Sequence, residues 1–153
     1  MINPLKFIPA GVFTKRDKTA QSLASAALRV PTGLYILNAG LGKFGATGEA
    51  AEGLQGMAAT GVPAVKELDA DTFAKTLAAS ETALGAALLA PFVSNKLAGI
   101  GLAGFGATLL TMYFGDDEMT EDDGIRPSSD GTALAKDSWL VAIGAALMAL
   151  PNK

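Results

Sequence analysis

Four apolar segments account for most of the chain. They run from about residue 20 to 44, 73 to 92, 97 to 114 and 134 to 151. A helix crosses the hydrocarbon core of a bilayer, which is about 30 Å thick, with roughly 20 residues. The first three segments have about this length, and the fourth approaches it when residues 134–137 are included. The pattern therefore predicts an all-α fold, a bundle of four transmembrane helices.

A water-soluble bundle of Ala- and Gly-rich helices is the alternative interpretation. Each helix of such a bundle needs a polar stripe along the face that meets water. The third segment, residues 97–114, has no charged side chain and shows no such stripe. This segment therefore favours lipid over water around the bundle.

Basic residues indicate how the bundle is oriented. They lie in an N-terminal arm (residues 1–19), in the turn after the second segment and at the end of the chain: Lys6, Lys15, Arg16, Lys18, Lys96 and Lys153. Cytoplasmic loops are enriched in Lys and Arg. We therefore expect a cytoplasmic arm, both termini in the cytoplasm, and outer loops at residues 45–72 and 115–133. No cleaved signal peptide is expected, and the predicted location is the plasma (inner) membrane, crossed several times.

Composition narrows the chemistry. Half of the 153 residues are hydrophobic, the mean hydropathy is +0.34 and 18% are charged, against about 25% in soluble domains. The chain has no cysteine and no histidine, which excludes thiol chemistry and removes the usual haem ligand and general base. The net charge of −3 and the lack of a basic face argue against a nucleic-acid partner. We expect no cofactor held by the chain's own ligands.

Two charged residues lie deep within the predicted spans, Arg29 in the first and Glu81 in the second. A charge facing lipid at the centre of a span costs about 2.5–3.5 kcal/mol on insertion scales. Because the two spans run antiparallel, their depths are similar, and we predict an intramembrane polar pair between Arg29 and Glu81. Helical spacing puts further residues on the same two faces, among them Gly33, Gly40 and Lys43 on the first span and Gly85 on the second.

Three interpretations of this pair stay open. It fixes helix register as a structural pair, or Arg29 extends to the cytoplasmic surface without contacting Glu81. In the third interpretation the pair forms a polar site for a lipid headgroup, a quinone or a proton. Asn38 lies on the face opposite Arg29, and we expect it to bond to backbone freed by Pro31, to another helix or to another subunit.

Small residues predict where the helices approach closely. In lipid, such residues let helix backbones pack together, and those that recur on one face of a span are Gly33, Gly40, Gly85, Gly99, Ala103 and Gly106. The stretch GIGLAG at residues 99–104 matches GxGxxG, but no strand precedes it, so we do not expect nucleotide binding. The acidic run at residues 116–123 lacks the ligand spacing of an EF-hand loop. It is predicted to be a solvated loop.

Two stretches carry a resemblance to a known family. LRVPTGLYILNAGLGKF, residues 28–44, resembles the opening helix of the DoxX-like family of small four-helix integral membrane proteins. SETALGAALLAPFVSNKLAGIGLAGFGATLLT, residues 80–111, looks like that family's second and third helices. The matching residues are Arg29, Gly33, Gly40, Lys43 and Glu81. The resemblance implies a four-helix bundle linked to membrane oxidoreductase systems, including a thiosulfate:quinone oxidoreductase and thiol-stress complexes.

Two functions follow as hypotheses. In the first, the chain is a non-catalytic accessory or assembly subunit of a larger membrane complex, of respiratory or redox type, with other integral membrane subunits and the lipid bilayer as partners. A homo-oligomer is a further possibility for its partners. In the second, the chain is a membrane subunit of a DoxX-type oxidoreductase and offers a quinone or lipid pocket between the first two spans. A small transporter has little support, since one ionisable pair does not make a transport pathway.

Overall fold

The computed structural model describes the backbone of residues 11–151 and the side chains of residues 17–151. This part of the chain is helical and has no strand, so the predicted all-α class is confirmed. The helices are α1 (Gly11–Lys43), α2 (Glu49–Gly61), α3 (Ala70–Leu89), α4 (Asn95–Phe114), α5 (Thr132–Ala135) and α6 (Ser138–Ala149). Short 3-10 turns lie at Pro63–Glu67 and Asp117–Met119.

The long helices follow the apolar segments. α1, α3, α4 and α6 lie within or overlap the four predicted spans, although α1 begins at Gly11, inside the predicted N-terminal arm. Residues 1–10 of that arm lie outside the described residues. The segment 45–72 was expected as a loop and contains α2 instead. α2 has 13 residues and is too short to cross a bilayer. Apolar segments of transmembrane length therefore do not predict it.

Two stretches are long and apolar enough to cross a membrane, judged by length and composition: Asn95–Phe114, and Thr132–Ala149, which joins α5 and α6. Their mean hydropathies are 1.6 and 1.3. Within the described residues, α1 and α3 are not apolar enough to be counted with these two stretches, because polar and charged residues interrupt their apolar sequences. Only 33% and 11% of the two apolar stretches is buried inside the molecule, whereas the core helix of a soluble protein is mostly buried. This surface is compatible with membrane association.

The four long helices pack as two pairs. α1 packs mainly on α3, and α4 packs mainly on α6. Both pairs contribute to one core of fully buried side chains: Ile36, Leu88, Ala98, Leu102 and Leu147. The side chains of Leu28, Leu84 and Phe105 pack around this core. The core therefore lies where the two helix pairs meet.

Glycines bring the α1–α3 backbones into contact. A Cβ atom placed on Gly40 would lie 2.5 Å from the backbone nitrogen of Thr82. A Cβ atom on Gly85 would lie 2.5 Å from the backbone nitrogen of Leu37. Real Cβ atoms do not approach other atoms this closely, so these positions accept no larger residue unless the helices separate.

α2 closes one end of the bundle. Gly61, its last residue, packs against Thr111 and Met112 of α4, and Gly115 packs against the carbonyl of Thr60. The Gln55 amide donates hydrogen bonds to the carbonyls of Val65 and Leu68, both at 2.8 Å, which folds the following segment back onto α2. We call this the α2 end, and the opposite end, where the turn between α3 and α4 lies, the α3–α4 end.

Candidate functional site

Arg29 lies at the α3–α4 end and is 7% exposed. Its guanidinium donates five hydrogen bonds. The acceptors are the carbonyl oxygens of Ala87, Leu88, Ala90 and Val93 at 2.7–3.0 Å, and Oδ1 of Asn95 at 3.1 Å. The last carbonyls of an α-helix have no partner inside the helix and attract positive charge. Arg29 therefore caps the C-terminus of α3 from the neighbouring helix.

Asn95 extends this cap to two further elements. Its Oδ1 also accepts a hydrogen bond from Ser25 Oγ at 2.7 Å, and its Nδ2 donates to the carbonyl of Pro151 at 3.2 Å. Ser25, Arg29 and Asn95 are all buried. The polar cluster at the α3–α4 end thus joins α1, α3, the start of α4 and Pro151 after α6. Its role is structural, because it holds these elements together.

The predicted pairing of Arg29 with Glu81 was wrong. Glu81 forms its ion pair with Lys43, whose Nζ lies 2.7 Å from Glu81 Oε2. Glu81 precedes Leu89, the last residue of α3, by eight positions, which is about 12 Å along a helix at 1.5 Å per residue. Arg29 finds free carbonyls at the helix end, whereas the Lys43 side chain extends down to the depth of Glu81.

The other predicted residues lie mostly at helix contacts. A Cβ on Gly33 would touch Leu88 and Leu89 of α3. The α4–α6 contact contains Gly99, Ala103 and Gly106, which meet Gly144, Met148, Leu140 and Val141. Asn38 is exposed, and its amide has no hydrogen-bond partner within residues 17–151. It is therefore the predicted polar residue that the described structure leaves uncovered.

A cavity of about 540 Å³ lies between the two helix pairs, below α2. Side chains of α1, α2, α3, α4, α5 and α6 line it, together with Asp137 and residues of the segment after α2. Most of the lining is apolar, with Ile36, Phe73, Phe105 and Leu140 as examples. Ligand pockets are commonly about 300–1,000 Å³, mostly apolar, with a few polar groups. In size and character the cavity resembles such a site.

Six side chains with polar groups line this cavity: Tyr35, Lys43, Ser80, Glu81, Thr108 and Asp137. The hydroxyl groups of Ser80 and Thr108 donate to carbonyls of their own helices, Ser80 to Thr76 at 2.7 Å and Thr108 to Gly104 at 2.9 Å. Their donors are therefore already used. The Lys43–Glu81 ion pair, the Asp137 carboxyl group and the hydroxyl of the exposed Tyr35 remain as the polar contacts that the cavity offers.

A second cavity of about 450 Å³ lies beside the first. The two share Met57, Met112, Ala133 and Leu134 in their walls, and the second also contacts Asp116 and Asp130 in the 115–133 segment. The shared wall contains two methionines, whose flexible side chains adapt easily to neighbours. The main cavity therefore lies one side-chain layer from the polar loop.

Two carboxyl groups outside the apolar helices are tuned by hydrogen bonds. Asp69 is the N-cap residue of α3. The backbone N–H and the hydroxyl of Thr72 both donate to its carboxylate, at 2.9 Å, and these hydrogen bonds hold the pKa of the Asp69 carboxyl below its ordinary value. The Arg126 side chain and the backbone N–H groups of Arg126 and Ile125 lower the pKa of Asp123. Residues 17–151 contain no group of three acidic side chains placed to hold a metal ion. Both carboxylates therefore serve local structure.

Comparisons with protein-family models, with curated proteins and with solved structures find no match for this chain.

Sequence reasoning missed Asn95, the centre of the polar cluster, because the stretch VSNK attracts attention through Lys96. The available signal was an asparagine directly after a serine at the start of an apolar run, and in the structure Ser94 is the N-cap of α4, with its Oγ accepting from the Leu97 N–H. Asp137 was also missed as a cavity residue. It lies at the start of α6, where an acidic residue suggests only a helix cap.

Proposed function

We propose that the chain is a four-helix integral membrane protein of the plasma (inner) membrane, crossed by α1, α3, α4 and the α5–α6 stretch. The single observation that carries this proposal is the inverted distribution of polarity. Arg29 and Glu81 are 7% and 5% exposed. Large apolar side chains cover the outward faces instead, among them Leu34, Tyr35, Leu41, Leu97, Ile100, Phe114, Trp139 and Met148.

Lipid explains this distribution better than water. A soluble monomer rarely exposes more than a few hundred Å² of contiguous apolar surface, whereas a helix in a bilayer turns its apolar side chains outward and its charges inward. α1 and α3 are less apolar than α4, but their charged groups at these depths, Arg29, Lys43 and Glu81, are hydrogen-bonded inside the bundle. With those charges satisfied internally, α1 and α3 can cross the bilayer beside α4 and α6. The α3–α4 end would then face the cytoplasm.

Within this arrangement the chain would act as a non-catalytic accessory subunit of a respiratory or redox membrane complex. The resemblance to the DoxX-like family supports this role, as does a sequence without histidine or cysteine. The exposed Asn38 amide supports it too, because a polar group on an apolar face favours association with another helix.

Partner identification tests the accessory role. The chain would be tagged and purified in mild detergent, and proteins that co-purify would be identified by mass spectrometry. We expect a defined set of integral membrane subunits, and we expect Asn38→Leu to weaken their recovery. The matched control is Leu34→Ile, an apolar exchange on the same exposed side of α1. Repeated recovery of the chain alone, at full yield, would refute the accessory role.

The cavity favours a second candidate function, a membrane subunit of a DoxX-type oxidoreductase that offers a lipid or quinone pocket. Such a subunit would take electrons from a cofactor on its partner, because cofactors carry the redox chemistry in such systems. Turnover, normalised to the amount of fully assembled complex, should then fall in a Lys43→Met variant. Normal turnover in that variant would exclude this candidate.

A further inference from the structure

We infer that the main cavity binds a neutral amphiphile whose polar end carries hydroxyl groups. A hydroxyl of this ligand donates to Glu81 Oε1 and accepts from the Lys43 ammonium. The inference rests on the membrane placement proposed above, because lipid is the phase from which such a ligand would enter.

The cavity walls set the body of the ligand. Four long helices and α2 contribute mostly aliphatic and aromatic side chains, so the ligand's main part is apolar. About 540 Å³ accommodates a ring or a short chain rather than a whole phospholipid, whose headgroup would need more polar partners than this lining supplies. The ligand is therefore a small amphiphile or one end of a larger one.

The hydrogen-bonding groups that the Lys43–Glu81 ion pair leaves unused determine the polar end of the ligand. The Lys43 ammonium has three N–H donors and uses two, to Glu81 Oε2 at 2.7 Å and to the Ala39 carbonyl at 3.2 Å. Glu81 Oε1 has no hydrogen-bond partner within residues 17–151, although the Glu81 side chain is only 6% exposed. One donor and one acceptor thus remain side by side. A hydroxyl group is the simplest chemical group that satisfies both.

Charge excludes the ionised alternatives. Among the charged lining residues, one lysine faces two acids, Glu81 and Asp137, and the lysine is already paired with Glu81. A fatty-acid carboxylate or a phosphate would therefore meet no free cation. A molecule with only acceptors, such as a quinone or ketone, would use Lys43 but leave Glu81 Oε1 unpaired. Sites that hydrogen-bond a hydroxyl reject analogues that lack it.

Four probes test this ligand class on the purified full chain in detergent micelles. A decyl hydroquinone and 1-decanoylglycerol both present hydroxyls on an apolar body, and they represent the two sources of this chemistry. The matching decyl quinone and decanoate present only acceptors, neutral and anionic. Isothermal titration measures each dissociation constant. We expect at least one hydroxyl probe to bind more than about tenfold more tightly than its acceptor-only counterpart, and the probe that does so identifies the source.

A cavity-filling variant locates the binding. Leu77→Trp adds bulk to the cavity wall and leaves both residues of the ion pair in place, and the matched Leu34→Trp places the same residue on the exposed side of α1. We expect Leu77→Trp to weaken hydroxyl-probe binding more than about tenfold and Leu34→Trp to leave it unchanged. Glu81→Gln, scored only if its unfolding midpoint matches wild type, should reduce the preference for hydroxyl over quinone.

Two results would overturn the inference: equal affinity for all four probes, or hydroxyl-probe binding that Leu77→Trp leaves intact. The membrane proposal fails on a different measurement, namely a monodisperse chain in buffer without any amphiphile. A chain that needs detergent and yet binds the four probes equally would therefore refute only the ligand.

Discussion

Removing the Arg29 guanidinium should produce a large loss of stability. Arg29→Met keeps a long side chain but deletes all five hydrogen-bond donors. Four backbone carbonyls and the Asn95 amide oxygen would then be left without this partner, in a site where the arginine is only 7% exposed. A buried acceptor that loses its donor carries its full desolvation penalty.

The magnitude follows from two limits. Hydrogen bonds to a charged group contribute about 1.5–3 kcal/mol each, but five bonds to one guanidinium are not additive, and removing the buried charge relieves its own desolvation. Breaking a buried charged network costs about 3–5 kcal/mol in other proteins, and we expect Arg29→Met to fall in that range. Arg29→Lys should lie in between, because an ammonium offers three donors where the guanidinium offers five.

Equilibrium unfolding in mixed micelles, with increasing SDS and detection by circular dichroism, measures these differences. Lys18→Met is the control, because Lys18 lies on the same helix and is exposed. It should change the free energy of unfolding by less than about 0.5 kcal/mol. If Arg29→Met changed the free energy of unfolding by less than about 1 kcal/mol, the polar cluster at the α3–α4 end would not hold the helices together as its hydrogen bonds indicate.

Three further predictions concern packing, the ion pair and pH. Gly40→Ala should destabilise the α1–α3 pair, whereas Gly42→Ala, where an added Cβ meets nothing within 4 Å, should be neutral or stabilise by up to about 1 kcal/mol. The unfolding midpoints of the two variants measure this difference, and equal midpoints would contradict the described helix packing. Lys43→Met should cost more stability than the double variant with Glu81→Met, because the single change leaves a buried carboxylate unpaired; additive costs would refute the coupling. Asp69 has a lowered pKa, so its stabilisation is complete above its unfolded-state pKa and is lost as the pH falls through the folded-state value. The wild-type advantage over Asp69→Ala should therefore vanish in acid, and a constant difference from neutral to acid pH would count against this cap.

Much of the fold could be predicted because hydropathy and length act over whole segments. The apolar runs that overlap α3 and α4 begin and end close to the observed helix ends, since Asp69 and Ser94 cap the helix N-termini where the polar turns finish. The glycines on α1 and α3 share a helical face, and that face is the one along which the two helices pack. Spacing along a helix is a property of sequence alone, so such faces can be predicted without tertiary information.

The partners of the charged residues could not be predicted in the same way. The predicted pairing of Arg29 with Glu81 considers side chains only. The acceptors that Arg29 uses at the end of α3 are backbone carbonyls, which every residue has and which a sequence pattern therefore does not mark. Their availability depends on where the helix ends and on which neighbour lies beside that end. α2 was missed for a related reason, because its role in covering the cavity arises from contacts with Thr111 and Met112, distant in sequence.

Arg29 and Lys43 of α1 differ in how completely their hydrogen bonds are used, and this difference separates structure from function. The Arg29 guanidinium has all three of its nitrogens engaged by backbone or Asn95, at the end of a helix that needs such a cap. Lys43 and Glu81 satisfy each other only in part, and they line a pocket of about 540 Å³ that is partly open at the surface. We therefore expect a ligand in the pocket beside this half-used ion pair, whereas Arg29 serves the structure.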